Sequence, residues 1–167
     1  MKDHAPIKRH QALVSFSKEH HFGLLLVWKI RQGLRNAVSA ERIGKYVLFF
    51  FNEDLKTHFK EEEQLLFSKL PVNDTLRLQA EAEHKEVYRL IEAISETTKD
   101  EHLLRQFADM LEKHIRFEER ILFNHLQSHI AAEEFEEISA RFSNSVDLDA
   151  RWEDNFWMVR NNRGMNI

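Results

Sequence analysis

No cysteine occurs in the sequence, which excludes disulfides, thiolate catalysis, iron–sulfur clusters and Cys-ligated zinc; any metal must be held by His and carboxylates. Glycine and proline are nearly as scarce, four and two in 167 residues. Such a chain has little material for hairpins or sandwiches, whereas its runs of Leu, Glu, Lys, Arg, Phe and Ala favour helix, so the class is all-α. A basic block is missing too. The formal net charge of −4 comes from mixed acidic and basic residues, nothing is arranged to track a phosphate backbone, and no nucleic-acid partner is expected. Long apolar runs are absent: Phe22 to Trp28 and Tyr46 to Phe51 fall well short of the roughly 20 residues of a membrane span. The N-terminus also lacks a secretory apolar region, so a soluble, cytoplasmic protein without membrane association is expected. The length suits one domain over 1–167 and is short for two.

What is abundant is histidine, ten in all, beside a surplus of Glu over Asp. The apolar periodicity defines four long helices on which to place them. Ser17 caps a helix running through Leu24, Val27, Ile30 and Leu34 to about Asn36. A second begins near Ser39, carries Val47, Phe51, Leu55, Phe59 and Leu66, and stops at Pro71. Asn73 or Asp74 caps the third, which repeats Leu76, Ala80, Val87, Leu90 and Ile94 before the polar stretch Ser95 to Asp100. From Asp100, Leu104, Phe107, Leu111, Ile115 and Leu126 carry the fourth to about Ser128. Short connections make neighbours antiparallel, so the expected fold is an up-down-up-down four-helix bundle over about 16–130. The extension, about 131–167, reads as one short helix and a second over Asp147 to Arg160. Its Trp152, Phe156 and Trp157 are expected to pack on the bundle, the sharper alternative being that they receive a protein partner.

His58 and Glu62 are four apart on the second helix, as are His114 and Glu118 on the fourth, so each pair projects from one face. Each shares that face with core residues and therefore points inward. An ionised Glu in an apolar bundle is costly unless it is paired or bound to a cation, and no Lys or Arg recurs at a matching inward position. The turns supply a separate argument, because antiparallel helices bring residues equidistant from their shared turn to one height. About a first turn near 38 to 39, His20 mirrors position 57; about a second near 72 to 73, His84 mirrors 61; about a third near 99 to 100, His84 mirrors 115. Four helices thus bring polar residues to one layer, which favours a metal centre over a set of solvated or salt-bridged His and Glu. The phase of the first helix leaves His20 and His21 both open.

With S-K-E-H-H at Ser17 to His21, H-F-K-E-E at His58 to Glu62, the single His84, and H-I-R-F-E at His114 to Glu118, the chain resembles the hemerythrin-like family of HHE cation-binding domains over roughly 10 to 130. The resemblance implies two iron ions joined by an oxo or hydroxo bridge. One would be held by His20 and His58, the other by His84 and His114, with Glu62 and Glu118 spanning both. It selects His20 because the family's ligand directly follows the acidic residue. In the oxygen-carrying branch the last carboxylate falls five residues after its His, which selects Glu119; the commoner spacing of four selects Glu118. Those carriers also have a second His four residues beyond the one on the third helix, where this chain has Tyr88. Tyr88 is either a core aromatic or a cofactor-binding phenolate beside the iron of His84 and His114. In both cases oxygen transport does not follow; with a neutral phenol that iron is expected to carry water or an open position.

The expected function is therefore a di-iron protein that binds or reacts with oxygen, peroxide or nitric oxide as a sensor, scavenger or store. The alternative is an iron-sensing or iron-handling module that works without turnover. A ferritin-like oxidase would need two E-x-x-H motifs, and only Glu81 to His84 fits. Of the remaining histidines, His4, His10, His102, His125 and His129, only His125 is expected near an access path.

Overall fold

The computed structural model describes residues 8–142 and 148–158. Helix α1 spans Gln11–Arg35, seven residues more at its start than the sequence signals suggest. The His10 ring, not Ser17, caps it by accepting the Ala12 N–H at 3.1 Å, and the added turns bury Ala12, Leu13 and Phe16. It ends in a Schellman motif, with Val38 N–H bonded to Gly33 O and Ala37 N–H to Leu34 O. Ala37 takes the left-handed conformation there, at φ 57°, a position usually held by glycine.

The second helical run begins after the Ser39 cap with α2 (Ala40–Phe50). It continues through a π segment (Phe51–Leu55), α3 (Lys56–Glu61), a second π segment (Glu62–Leu66) and a 3₁₀ turn (Phe67–Lys69). It stops at Leu70, whose extended backbone is what the following Pro71 requires. Asp74 accepts the Leu76 and Arg77 N–H groups and caps α4 (Thr75–Glu96). Asp100 does the same for α5 (Glu101–Phe117), which passes through a third π segment (Glu118–Leu122) into α6 (Phe123–His129). Two of the π segments begin at the inward glutamates Glu62 and Glu118. The wider turn changes the helical phase beyond them, so Leu65, Leu66 and Phe67 are all buried in succession. On the fourth helix Leu122 rather than Ile121 faces inward, Ile121 being 50% exposed.

Side-chain pairings give the directions. Residue 20 meets 119 while 31 meets 109 and 112. Residue 29 meets 46 and 19 meets 58; 63 meets 84, 83 meets 114 and 74 meets 125. All four neighbouring pairs are antiparallel, which makes an up-down-up-down bundle without a strand among the described residues. Two apolar clusters fill it, one around Ile30, Tyr46, Val47, Leu90 and Phe107, the other around Leu13, Phe16, Leu66, Phe123 and Phe135. The His/Glu layer lies between them. No described helix is long and apolar enough to cross a membrane.

Helix α7 (Ala132–Arg141) buries Phe135 and Ile138. The second helix expected over Asp147 to Arg160 does not form across the described stretch 148–158, which holds only a 3₁₀ turn at Asp149–Arg151; positions 147, 159 and 160 lie outside the described residues. Side-chain anchors set its course instead. The buried Lys29 Nζ lies 2.7 and 2.9 Å from the Asp149 carboxylate, to which Tyr46 OH also donates at 2.8 Å. Arg42 grips Asp154 at 2.7 and 3.0 Å. Phe156 packs over Gly33, where a Cβ would stand 2.8 Å from its ring. Trp152 and Trp157 close around Tyr46 at ring distances of 5.4 and 5.0 Å.

Candidate metal centre

Six side chains from four helices meet in the layer between the two apolar clusters. They are His20 from α1, His58 from α3 with Glu62 at the π segment that follows, His84 from α4, and His114 from α5 with Glu118 at the next π segment. All six are buried, Glu62, His84, His114 and Glu118 completely. They form two overlapping groups, His20, His58, Glu62 and Glu118, then Glu62, His84, His114 and Glu118; within each group one donor atom per residue lies within 4.8 Å of the others. Glu62 and Glu118 belong to both.

The contacts inside the layer are close. His20 Nε2 lies 2.9 Å from Glu118 Oε2 and 3.9 Å from Glu62 Oε1, and His58 Nε2 abuts Glu62 Oε1. His114 Nε2 lies 2.7 Å and His84 Nε2 3.7 Å from Glu118 Oε1. The alignment is poor, however: His20 Nε2, His58 Nε2 and all four carboxylate oxygens of Glu62 and Glu118 make these close ion-pair contacts without a well-aligned hydrogen bond. Among the described residues the ion-pair partners of Glu62 and Glu118 are histidines alone. The two nitrogens His84 Nε2 and His114 Nε2 face each other at 3.0 Å, near the ~3 Å expected of cis imidazoles at a metal–nitrogen distance of ~2.1 Å. Imidazole with carboxylate is a donor set suited to iron among the first-row metals. The residues fit a pair of cations.

Outside the six stands a set of glutamates that the sequence signals did not single out as partners. Each histidine has its Nδ1 on one of them: His20 on Glu119 at 2.7 Å, His84 on Glu63 at 2.9 Å, His114 on Glu83 at 2.9 Å, and His58 on Glu19. Their sequence signal is adjacency, since each precedes or follows a residue of the layer. Burial pulls the His58 imidazole down, but the Glu62 charge and hydrogen bonds to Glu19 and Glu62 outweigh it and raise it to about 10. Burial likewise opposes, and Glu118 and Glu83 overcome, the rise of His114 to about 9. His20 and His84 are raised for the same reasons, against their own burial, by Glu118 with Glu119 and Glu63 respectively. Glu118 is held well below the carboxylate range despite its burial, by the charge and hydrogen bond of His114 and by His20 and His84. Burial would raise Glu119, but His20, Ser17 and Arg9 bring it to about 2. Without cations, then, protonated imidazoles balance the inward carboxylates.

Of the open alternatives, the structure brings His20 into the layer and leaves His21 exposed. It places Glu118 inside and Glu119 behind His20. Tyr88 lies one turn along α4 from His84. Its ring packs edge-on against Phe51 and Phe59 at 5.4 and 6.1 Å, while Phe59 covers His84 face-to-face at 3.9 Å. Burial and then the Glu63 charge raise its phenol. His125 pairs with Asp74 at 2.7 Å, at the start of α4, away from the layer. His10 stacks on Phe135, His102 and His129 are exposed, and His4 lies outside the described residues.

Residues 19–126 match a family model described as the Hemerythrin HHE cation binding domain. No curated protein and no solved structure matches the chain.

Proposed function

The chain belongs to the hemerythrin HHE cation-binding domain family, and on that premise we propose that it is a di-iron protein that binds or reacts with oxygen, peroxide or nitric oxide as a sensor, scavenger or store. The observation that carries the reading is the pair of overlapping groups sharing Glu62 and Glu118, with buried donor atoms that make no well-aligned hydrogen bond within the protein. In this reading His20 and His58 hold one iron, His84 and His114 the other, and Glu62 and Glu118 span the two. When bound, such a pair supplies Lewis-acidic and redox chemistry toward a small ligand.

The chain's own residues favour access on one side. A cavity of about 10 Å³ abuts His20 and His58, walled by Gly23, Phe50, Leu55, Leu111 and Ile115 among others; that is room for about one water-sized molecule. Gly23 keeps this wall thin, since a Cβ there would meet Ile115 Cδ1 at 2.7 Å. On the other side Phe59 and Phe67 cover His84 at 3.9 and 5.3 Å. Ligand entry is therefore assigned to the His20/His58 half. The mostly apolar walls suit small uncharged molecules and limit water. Trp152, Phe156 and Trp157 are engaged on the bundle, so these observations do not favour the partner-reading alternative.

Metal analysis of protein purified without air, followed by optical spectra on exposure to oxygen, to peroxide and to nitric oxide, tests the reading. About two irons per chain and a spectral change with at least one ligand are expected. Iron near zero, or a loaded protein unresponsive to all three, would refute it.

A further inference from the structure

The four outer glutamates are joined in one order. Glu19 on the first helix contacts His58 on the second; Glu63 on the second contacts His84 on the third; Glu83 on the third contacts His114 on the fourth; Glu119 on the fourth contacts His20 on the first. The contacts run once around the bundle and close, crossing every interface between neighbouring helices.

Helix geometry explains the single hand of this circuit. One residue turns an α-helix by about 100°. On the two parallel helices, first and third, the outer glutamate precedes the inward histidine, as in Glu19–His20 and Glu83–His84. On the second and fourth, which run the other way, it follows the inward glutamate, as in Glu62–Glu63 and Glu118–Glu119. Stepping back along an ascending helix and forward along a descending one rotates in the same sense when viewed down the bundle. All four carboxylates therefore lean toward the neighbour on the same side.

Resting on the reading above, we propose that Glu19, Glu63, Glu83 and Glu119 are a ring of positioning residues, each accepting Nδ1–H from the next helix and thereby aiming that imidazole's Nε2 at the metal pair. A ring nitrogen that donates to a carboxylate leaves the other as the ligating atom and fixes the plane of the imidazole. The ring divides by half-site. Glu19 and Glu119 serve the histidines of one metal, Glu63 and Glu83 those of the other. Each half has one buried positioner, Glu19 or Glu83 at 7% and 8% side-chain exposure, and one open to solvent, Glu119 or Glu63 at 27% and 44%. Losing a buried positioner should cost more than losing its open counterpart, because water can replace only the latter.

The test is anaerobic titration of the metal-free full chain with ferrous iron, with far-UV circular dichroism to confirm folding. Alanine at Glu63 or Glu83 should weaken the His84/His114 site about 10- to 100-fold and spare the other; alanine at Glu19 or Glu119 should do the reverse. The solvent-open Glu63→Ala keeps the test valid if a buried variant fails to fold. Glu83→Gln, whose amide oxygen still accepts from Nδ1–H, should recover most of the affinity that Glu83→Ala loses, which a merely structural or charge role would not produce. In a His58→Ala background Glu19→Ala should add nothing, whereas Glu83→Ala should still weaken binding. All four alanine variants binding within about twofold of the unmodified chain, or Glu19→Ala weakening the His84/His114 site, would overturn the ring while leaving the di-iron reading intact. An unmodified chain that takes up no iron would overturn that reading and the ring with it.

Discussion

Raising the pH of the chelated protein from 7 to 9 should destabilise it steeply, and metal should abolish the effect. His58 and His114 stand at about 10 and about 9 in the fold, with burial opposing and the inward and outer glutamates favouring protonation; an unfolded histidine titrates near 6.5. Because the folded values are the higher, the stabilisation is complete below about pH 6.5 and is lost as pH climbs through about 9 and 10. Each imidazole protonated only in the folded state contributes a slope of about 1.4 kcal/mol per pH unit. These two alone give about 3 kcal/mol per unit, against a total stability of about 5–15 kcal/mol. For a chain of this size that is a fall in melting temperature of roughly 5–10 °C per unit. Metal requires neutral imidazoles, so the loaded protein escapes the slope, and uptake releases protons and strengthens as pH rises. Melting curves by circular dichroism at several pH values, with chelator and with ferrous iron under nitrogen, measure both. A chelated protein whose melting temperature is constant or rises between pH 7 and 9 would refute the reasoning.

Changing Glu62 and Glu118 together to Gln should abolish most iron uptake by elemental analysis, since both metal groups share them; full occupancy in the double variant would refute the sharing. Tyr88→Phe should leave iron content and the diferric optical spectrum unchanged, because Phe59 rather than Tyr88 covers His84; loss of a phenolate charge-transfer band would contradict the placement. Asp149→Ala removes the carboxylate from buried Lys29 and should cost about 3 kcal/mol in urea denaturation, an unaltered midpoint arguing against the anchor. Ala37→Gly relieves a left-handed alanine and should raise stability by about 1 kcal/mol in the same assay.

The helical class, the four long helices and their antiparallel order were legible in the sequence, because apolar periodicity, a capping residue at Asn73 or Asp74, and the stop at Pro71 are local signals. The common depth of His20, His58, His84 and His114 was legible too, since turn positions and a constant rise per residue fix heights along antiparallel helices. Direction around the axis was not. Whether Glu118 or Glu119 faces inward depends on a phase that the π segment starting at Glu118 resets, and a hydrogen-bond register widened by one residue leaves no mark in hydrophobic spacing. The surroundings of Tyr88 could not be read from its four-residue spacing to His84, because its ring packs against Phe51 and Phe59, which come from another helix. The irregular path of 148–158 was hidden likewise, being set by Lys29, Arg42 and Gly33 more than a hundred residues away. Heights along an axis are summed from local geometry, whereas facing across it is decided only when all four helices pack and each side chain competes for the same interior.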